Sequence, residues 1–205
     1  MGFVLYWRPG TASMAPHAAL AEIGADYRLI EIGRDEAQSD EAYRALNPLG
    51  VVPTLLDEEQ DLVLTESAAI LLYLGDRFPE SQLAPTERAE YYRWLVFQTN
   101  TVQTAMLRWF YPERYGTGDK AMEAAGRDAG EAFDILDRAL EARTWLAADH
   151  RTGADLFLFM LTRWGRRLDP AAWDRPNLRR HFLATLELPG VRRMMDEQQL
   201  EIPSL

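Results

Sequence analysis

The chain has 205 residues, 47% of them hydrophobic, a net charge of −10 and no cysteine. The length suits one large domain or two small ones, and the acidic balance excludes nucleic acid as the main partner, because phosphate binding needs a basic stripe. Without a protein thiolate, thiol–disulfide exchange at a cysteine, disulfide frameworks and cysteine–zinc sites are excluded too.

No apolar run approaches the ~20 residues of a membrane span. Residues 1–5 lack the basic region and cleavage pattern of a signal peptide, so a cytoplasmic chain with no membrane partner is expected. His17, His150 and His181 are far apart without ligand spacing, and no metal site is expected.

Phe3-Val4-Leu5-Tyr6-Trp7 is a compact apolar strand, followed by a loop, Arg8-Pro9-Gly10-Thr11-Ala12. Ser13 can cap a helix whose Ala15, Ala18, Ala19 and Ile23 keep helical spacing up to a stop at Gly24. Tyr27, Leu29 and Ile32 mark a second strand, and Arg34, Asp35 and Glu36 read as surface charge. Residues 40–46 form a short helix before the turn cluster Asn47-Pro48-Leu49-Gly50.

Residues 51–74 carry the most information. Pro53 stands before a short buried strand, Thr54-Leu55-Leu56; a polar turn and a second strand, Leu62-Val63-Leu64, follow. Thr65-Glu66-Ser67 then cap and open an apolar helix running to about Tyr73. Proline cannot donate to a ladder, so it belongs at a strand's first residue or edge. An open edge can pair with an extended peptide, and a helix N-terminus offers N–H groups and partial positive charge to a carboxylate. Together these suit a small acidic peptide. The plainer alternative is a hairpin followed by a capped helix.

Residues 79–86 break the pattern as a linker, and helical periodicity then runs through 87–115, 119–143, 155–168, 178–187 and 189–198. Thr152-Gly153-Ala154-Asp155 is a capping box with Asp in the Glu position, a structural device that starts a buried helix.

The Val52-Pro53 and Glu66-Ser67 pairs, the Thr152–Asp155 box, Arg175-Pro176-Asn177-Leu178 and Leu188-Pro189-Gly190-Val191 together resemble the glutathione transferase family. The resemblance covers nearly the whole chain. It implies an α/β thioredoxin-like domain at residues 1–78, a linker at 79–86 and an all-α domain at 87–205. It further implies that Pro53 is cis, that Val52 bonds the backbone of glutathione, that Glu66 takes the ligand's ammonium, and that Ser67 with its N–H takes the carboxylate. Glutathione is then the co-substrate, a small apolar electrophile the second partner, and a homodimer the assembly.

Residues 9–17 are most similar to the bacterial beta-class pattern, which has a cysteine where Ala12 stands. The beta-class tyrosine falls on Trp7 and its active-site histidine on Gln103, so the resemblance carries the glutathione site but not those catalytic residues. A transferase must lower the thiol pKa of glutathione with a donor near a helix N-terminus. Ser13 is the first candidate and Thr11 the second; the alternative for Ser13 is a bond to its own helix only. Gln103 can hydrogen-bond the ligand. Gln103, Met106, Leu107 and Phe110 share a helix face, which with Trp7 gives an apolar substrate pocket or, alternatively, plain core. The expected function is activation of glutathione thiolate for attack on an apolar electrophile. The alternatives are a non-catalytic glutathione-binding module or a transferase-like interaction protein.

Overall fold

The computed structural model describes residues 2–115 and 118–201. They fall into two compact units, one of residues 2–83 with 187–201, the other of residues 84–186.

The first unit is built on four strands: β1 (Phe3–Trp7), β2 (Tyr27–Glu31), β3 (Thr54–Asp57) and β4 (Leu62–Thr65), in the order β2-β1-β3-β4. β1 pairs parallel with β2, in a β-α-β unit through α1 (Met14–Ile23), and antiparallel with β3, which pairs antiparallel with β4. Phe3, Val4, Leu5 and Trp7 are all buried, as a continuous apolar run predicts for a central strand covered on both faces. Two short helices, α2 (Arg34–Ser39) and α3 (Glu41–Leu46), connect β2 to β3, and α4 (Ser67–Arg77) follows β4.

The thioredoxin-like order is present with one addition. α2 lies where charged residues read as surface: Ala37 is its only buried residue, and the Glu36 carboxylate accepts the Gly33 N–H at 3.1 Å. One apolar residue in six gives no period to detect. Asp40 caps α3 through the N–H groups of Ala42 and Tyr43.

The second unit is helical: α5 (Ala89–Phe97), a wide π-helical stretch (Gln98–Gln103), α6 (Thr104–Phe110), α7 (Asp119–Ala139), α8 (Gly153–Trp164) and α9 (Pro176–Leu186). The single period expected over 87–115 is thus interrupted by the π stretch. All twelve residues of α8 are buried, so its end groups need internal partners. At its N-terminus the capping box holds the cap residue: Asp155 accepts the Thr152 N–H at 2.7 Å, the Thr152 hydroxyl and the Leu146 N–H, and meets His181 Nε2 at 2.9 Å.

The last helix, α10 (Pro189–Glu197), departs from the domain boundary expected from sequence, which put 187–205 with the helical domain. It packs along α1 and belongs to the first unit. Gly190 is the point of closest approach: a Cβ there would stand 2.4 Å from the backbone nitrogen of Glu22, whose carboxylate accepts the Gly190 N–H at 2.8 Å. α10 also explains why Met14 to Leu20 of α1 are buried without a break: the helix is covered on several sides. Among the described residues, no helix is long and apolar enough to cross a membrane.

Candidate functional site

Register brings Val52, Pro53, Glu66 and Ser67 of the expected glutathione residues together, while Gln103 lies in the helical unit. Tyr6 of β1 pairs with Thr54 of β3, which pairs with Thr65 of β4, so one row of the sheet holds all three. Just past that row lie the loop after β1, Val52-Pro53 before β3, and Glu66-Ser67 after β4. Segments as much as 55 residues apart in sequence therefore share one end of the sheet.

The Val52–Pro53 peptide is cis, and the ladder begins only at Thr54, leaving Val52 outside it. A clamp fixes this segment from both sides. The Tyr43 hydroxyl meets the Val51 carbonyl at 2.5 Å and the Thr54 hydroxyl at 2.9 Å. Asn47 Nδ2 donates to the same two oxygens, at 2.7 and 3.1 Å. Burial pushes the Tyr43 hydroxyl above its ordinary pKa, so it stays a donor. Sequence reasoning missed this clamp; the Asn47-Pro48 turn marked its place but not its partners.

Glu66 is exposed and holds φ 68°, ψ 116°, a left-handed φ that costs a non-glycine residue about 1–3 kcal/mol. That backbone turns the chain sharply from β4 into α4, whose first residue is Ser67. The Ser67 hydroxyl donates to the Ala12 carbonyl at 2.9 Å and ties α4 to the loop after β1.

Ser13 differs from the expected cap. Its backbone is already helical (φ −73°, ψ −13°) and its side chain makes no capping bond, because a cap reaches back to the first turn only from extended backbone. The hydroxyl is fully buried and points into the loop instead, 3.1 Å from the Arg8 carbonyl, 3.3 Å from the Arg8 N–H and 3.0 Å from the Thr11 hydroxyl. Its one proton is thus shared between the Arg8 carbonyl and the Thr11 hydroxyl, and the Arg8 N–H takes a lone pair. Thr11 is half-buried and donates to the Arg8 carbonyl at 2.8 Å.

Of the expected apolar lining, Trp7 is 7% exposed and packs edge-on to His17, while Met106 is fully buried in the second unit. Phe110 alone of the three keeps substantial surface, half-buried against Trp109, Tyr111 and Trp164. Gln103 is half-buried at the end of the π stretch. A separate cavity of about 280 Å³ is lined by Tyr6, Ile30, Ile32, Tyr43, Glu36 and Asp40 among others; Thr11, Ser13, Glu66 and Ser67 do not line it.

Comparison with known proteins agrees with the fold. Residues 1–76 match the glutathione S-transferase N-terminal domain and residues 97–189 the glutathione S-transferase C-terminal domain. Glutathione S-transferase GST-4.5 of Xanthomonas campestris pv. campestris is 32% identical over 171 residues, which is 80% of this chain and 82% of that protein. Among solved structures, the glutathione S-transferase from Xylella fastidiosa superposes with a TM-score of 0.88 at 28% identity, covering 97% of this chain and 100% of that one. A sphingomonad glutathione S-transferase complexed with glutathione gives 0.87 at 30% identity, with the same coverage. Both domains match in order, and a relative at that identity spans four-fifths of the chain; the chain belongs to the glutathione S-transferase family.

Proposed function

We propose that this chain binds glutathione at the shared end of the sheet and activates its thiol for attack on a small apolar electrophile. The observation that carries this reading is the meeting of the loop after β1, Val52-Pro53 and the α4 N-terminus on one edge. Val52, outside the ladder, pairs with the ligand's extended backbone. The γ-glutamyl carboxylate takes the Ser67 N–H at the start of an eleven-residue helix, and Glu66 takes the ammonium. The Ser67 proton is committed to Ala12, so the hydroxyl contributes position rather than a further donor to the carboxylate.

The sulfur then lies near the first turn of α1, where partial positive charge favours thiolate. Thr11, the more accessible hydroxyl, donates to that sulfur in place of the Arg8 carbonyl, while Ser13 holds the loop in shape. The thiol proton leaves to solvent, and the thiolate forms a carbon–sulfur bond as the leaving group departs. A cytoplasmic location fits the reading, because the glutathione pool there is reduced. A homodimer fits it too: Tyr92 and Val96, one turn apart on α5, and Leu49 in the first unit are exposed apolar side chains.

Calorimetric titration with glutathione, together with turnover of an aryl halide, tests this on the wild type, Thr11→Ala and Ser13→Ala. Micromolar to millimolar binding is expected in the wild type. Thr11→Ala should keep binding and lose about ten- to a hundredfold in kcat, the scale of one lost transition-state hydrogen bond. Ser13→Ala should chiefly lower Tm. No binding by the wild type would overturn the proposal.

A further inference from the structure

His17, in the middle of α1, is fully buried, and Gln198, just past α10, is 2% exposed. Their hydrogen bonds form a chain whose polarity can be read from one end. The Gly10 N–H can only donate, and it faces Gln198 Oε1 at 3.1 Å. The other amide atom is therefore the NH2 group, which donates to His17 Nδ1 at 3.1 Å. The ring proton then sits on Nε2, 2.7 Å from a Glu197 carboxylate oxygen that also accepts the Tyr27 hydroxyl at 2.8 Å. Every donor meets an acceptor only while His17 is neutral with its proton on Nε2.

A second proton on His17 must go to Nδ1, where it meets the amide NH2. Turning the amide over satisfies the ring but brings the NH2 group against the Gly10 N–H, two donors face to face. Gly10 sits at φ 68° in the loop that carries Thr11 and Ser13, with the Leu200 side chain against it. We infer that Gln198 is a positioning residue that holds the Gly10 peptide, and with it the glutathione-binding loop, only while His17 is neutral, so that protonation of His17 releases the loop and weakens glutathione binding. The inference rests on the proposed role of that loop.

The charged and titratable groups around the ring favour this reading. Burial holds His17 below the ordinary histidine range; Glu197 opposes this through its hydrogen bond and charge, and Arg193, bonded to Glu197 at 2.8 Å, adds to it. Tyr27 of β2 stands 3.5 Å from Nε2, and β1 presents the neutral Trp7. α4, also packed on α1, carries Tyr73, Asp76 and Arg77 and follows Glu66, and the charges that shift the ring are those of Glu197 and Arg193. The neutral ring is thus the resting state near neutrality, and acid supplies the second proton.

The test follows the Gly10 amide and the His17 ring by NMR in the full-length protein from about pH 7.5 to about pH 5, where neither the carboxylates nor the thiol of free glutathione titrates. Glutathione affinity is measured in parallel. In the wild type, Gly10 should lose exchange protection with the same midpoint as His17 protonation, while Leu5 in the central strand keeps its protection. Affinity should fall roughly two- to tenfold, the scale of one net hydrogen bond. In Gln198→Glu, a carboxylate can accept from Gly10 and from a protonated ring together, so Gly10 protection and affinity should both hold across the range. Gly10 protection unchanged through His17 protonation, loss of Gly10 and Leu5 together, or matching wild-type and Gln198→Glu profiles would overturn the inference. If neither protein binds glutathione at any pH, the transferase reading fails, and the Gly10 amide alone decides whether His17 releases the loop.

Discussion

The Ser67 hydroxyl donates to the Ala12 carbonyl across 55 positions of sequence. This bond fixes the distance between two helix N-termini, that of α4 and that of α1, each suited to one anionic group of the same ligand. Ser67→Ala removes the link while keeping the Ser67 position's N–H. We expect a stability loss of about 1 kcal/mol and a weaker, not abolished, affinity for glutathione, read by urea denaturation and calorimetry.

Glu66 separates stability from binding. Its left-handed φ is relieved by glycine, at the expense of extra freedom in the unfolded chain. Glu66→Gly should leave stability level or raise it by about 1 kcal/mol, while glutathione affinity falls at least tenfold through loss of the ammonium partner. A variant both less stable and equally tight would refute this assignment.

The clamp around Val52-Pro53 predicts non-additive losses. Tyr43 donates to the Val51 carbonyl and accepts from the Thr54 hydroxyl, while Asn47 donates to both oxygens, so either can be removed while the other remains. Tyr43→Phe and Asn47→Ala should each cost about 1 kcal/mol, and the double variant more than the sum, because the buried oxygens then lose both partners. A double-mutant cycle in urea measures the excess.

Tyr73 gives an alkaline signature. Burial, then its hydrogen bond to the Asp57 carboxylate at 2.6 Å, raises its pKa to about 12. The folded state thus holds a proton that the unfolded state gives up near 10, so this contribution is complete below pH 10 and fades as pH climbs toward 12. Tyr73→Phe should melt lower at neutral pH and lose stability less steeply across that window.

What could be read from sequence follows from the range of the interactions. The run Phe3 to Trp7, the Thr152–Asp155 box and the segment from Pro53 through Ser67 announce themselves because strand, cap and turn chemistry are local. Ser13 has the residue type of a cap but not the backbone, and residue type alone does not reveal φ and ψ. α10 shows an apolar face by its period, which says nothing of what the face covers. The His17–Gln198 bond joins residues 181 positions apart, beyond any pattern in a single sequence.

The placement of α10 has a consequence for how the chain is made. The unit that begins with β1 is not finished when β4 and α4 emerge from the ribosome; it waits for Gly190 to dock on Glu22 and for Gln198 to reach Gly10. During synthesis of the intervening helical unit, the α1 surface that α10 will cover stays bare. A nascent chain stalled before residue 187 would carry a sheet without α10, and a stop codon at that point should yield a product that aggregates rather than a shortened enzyme.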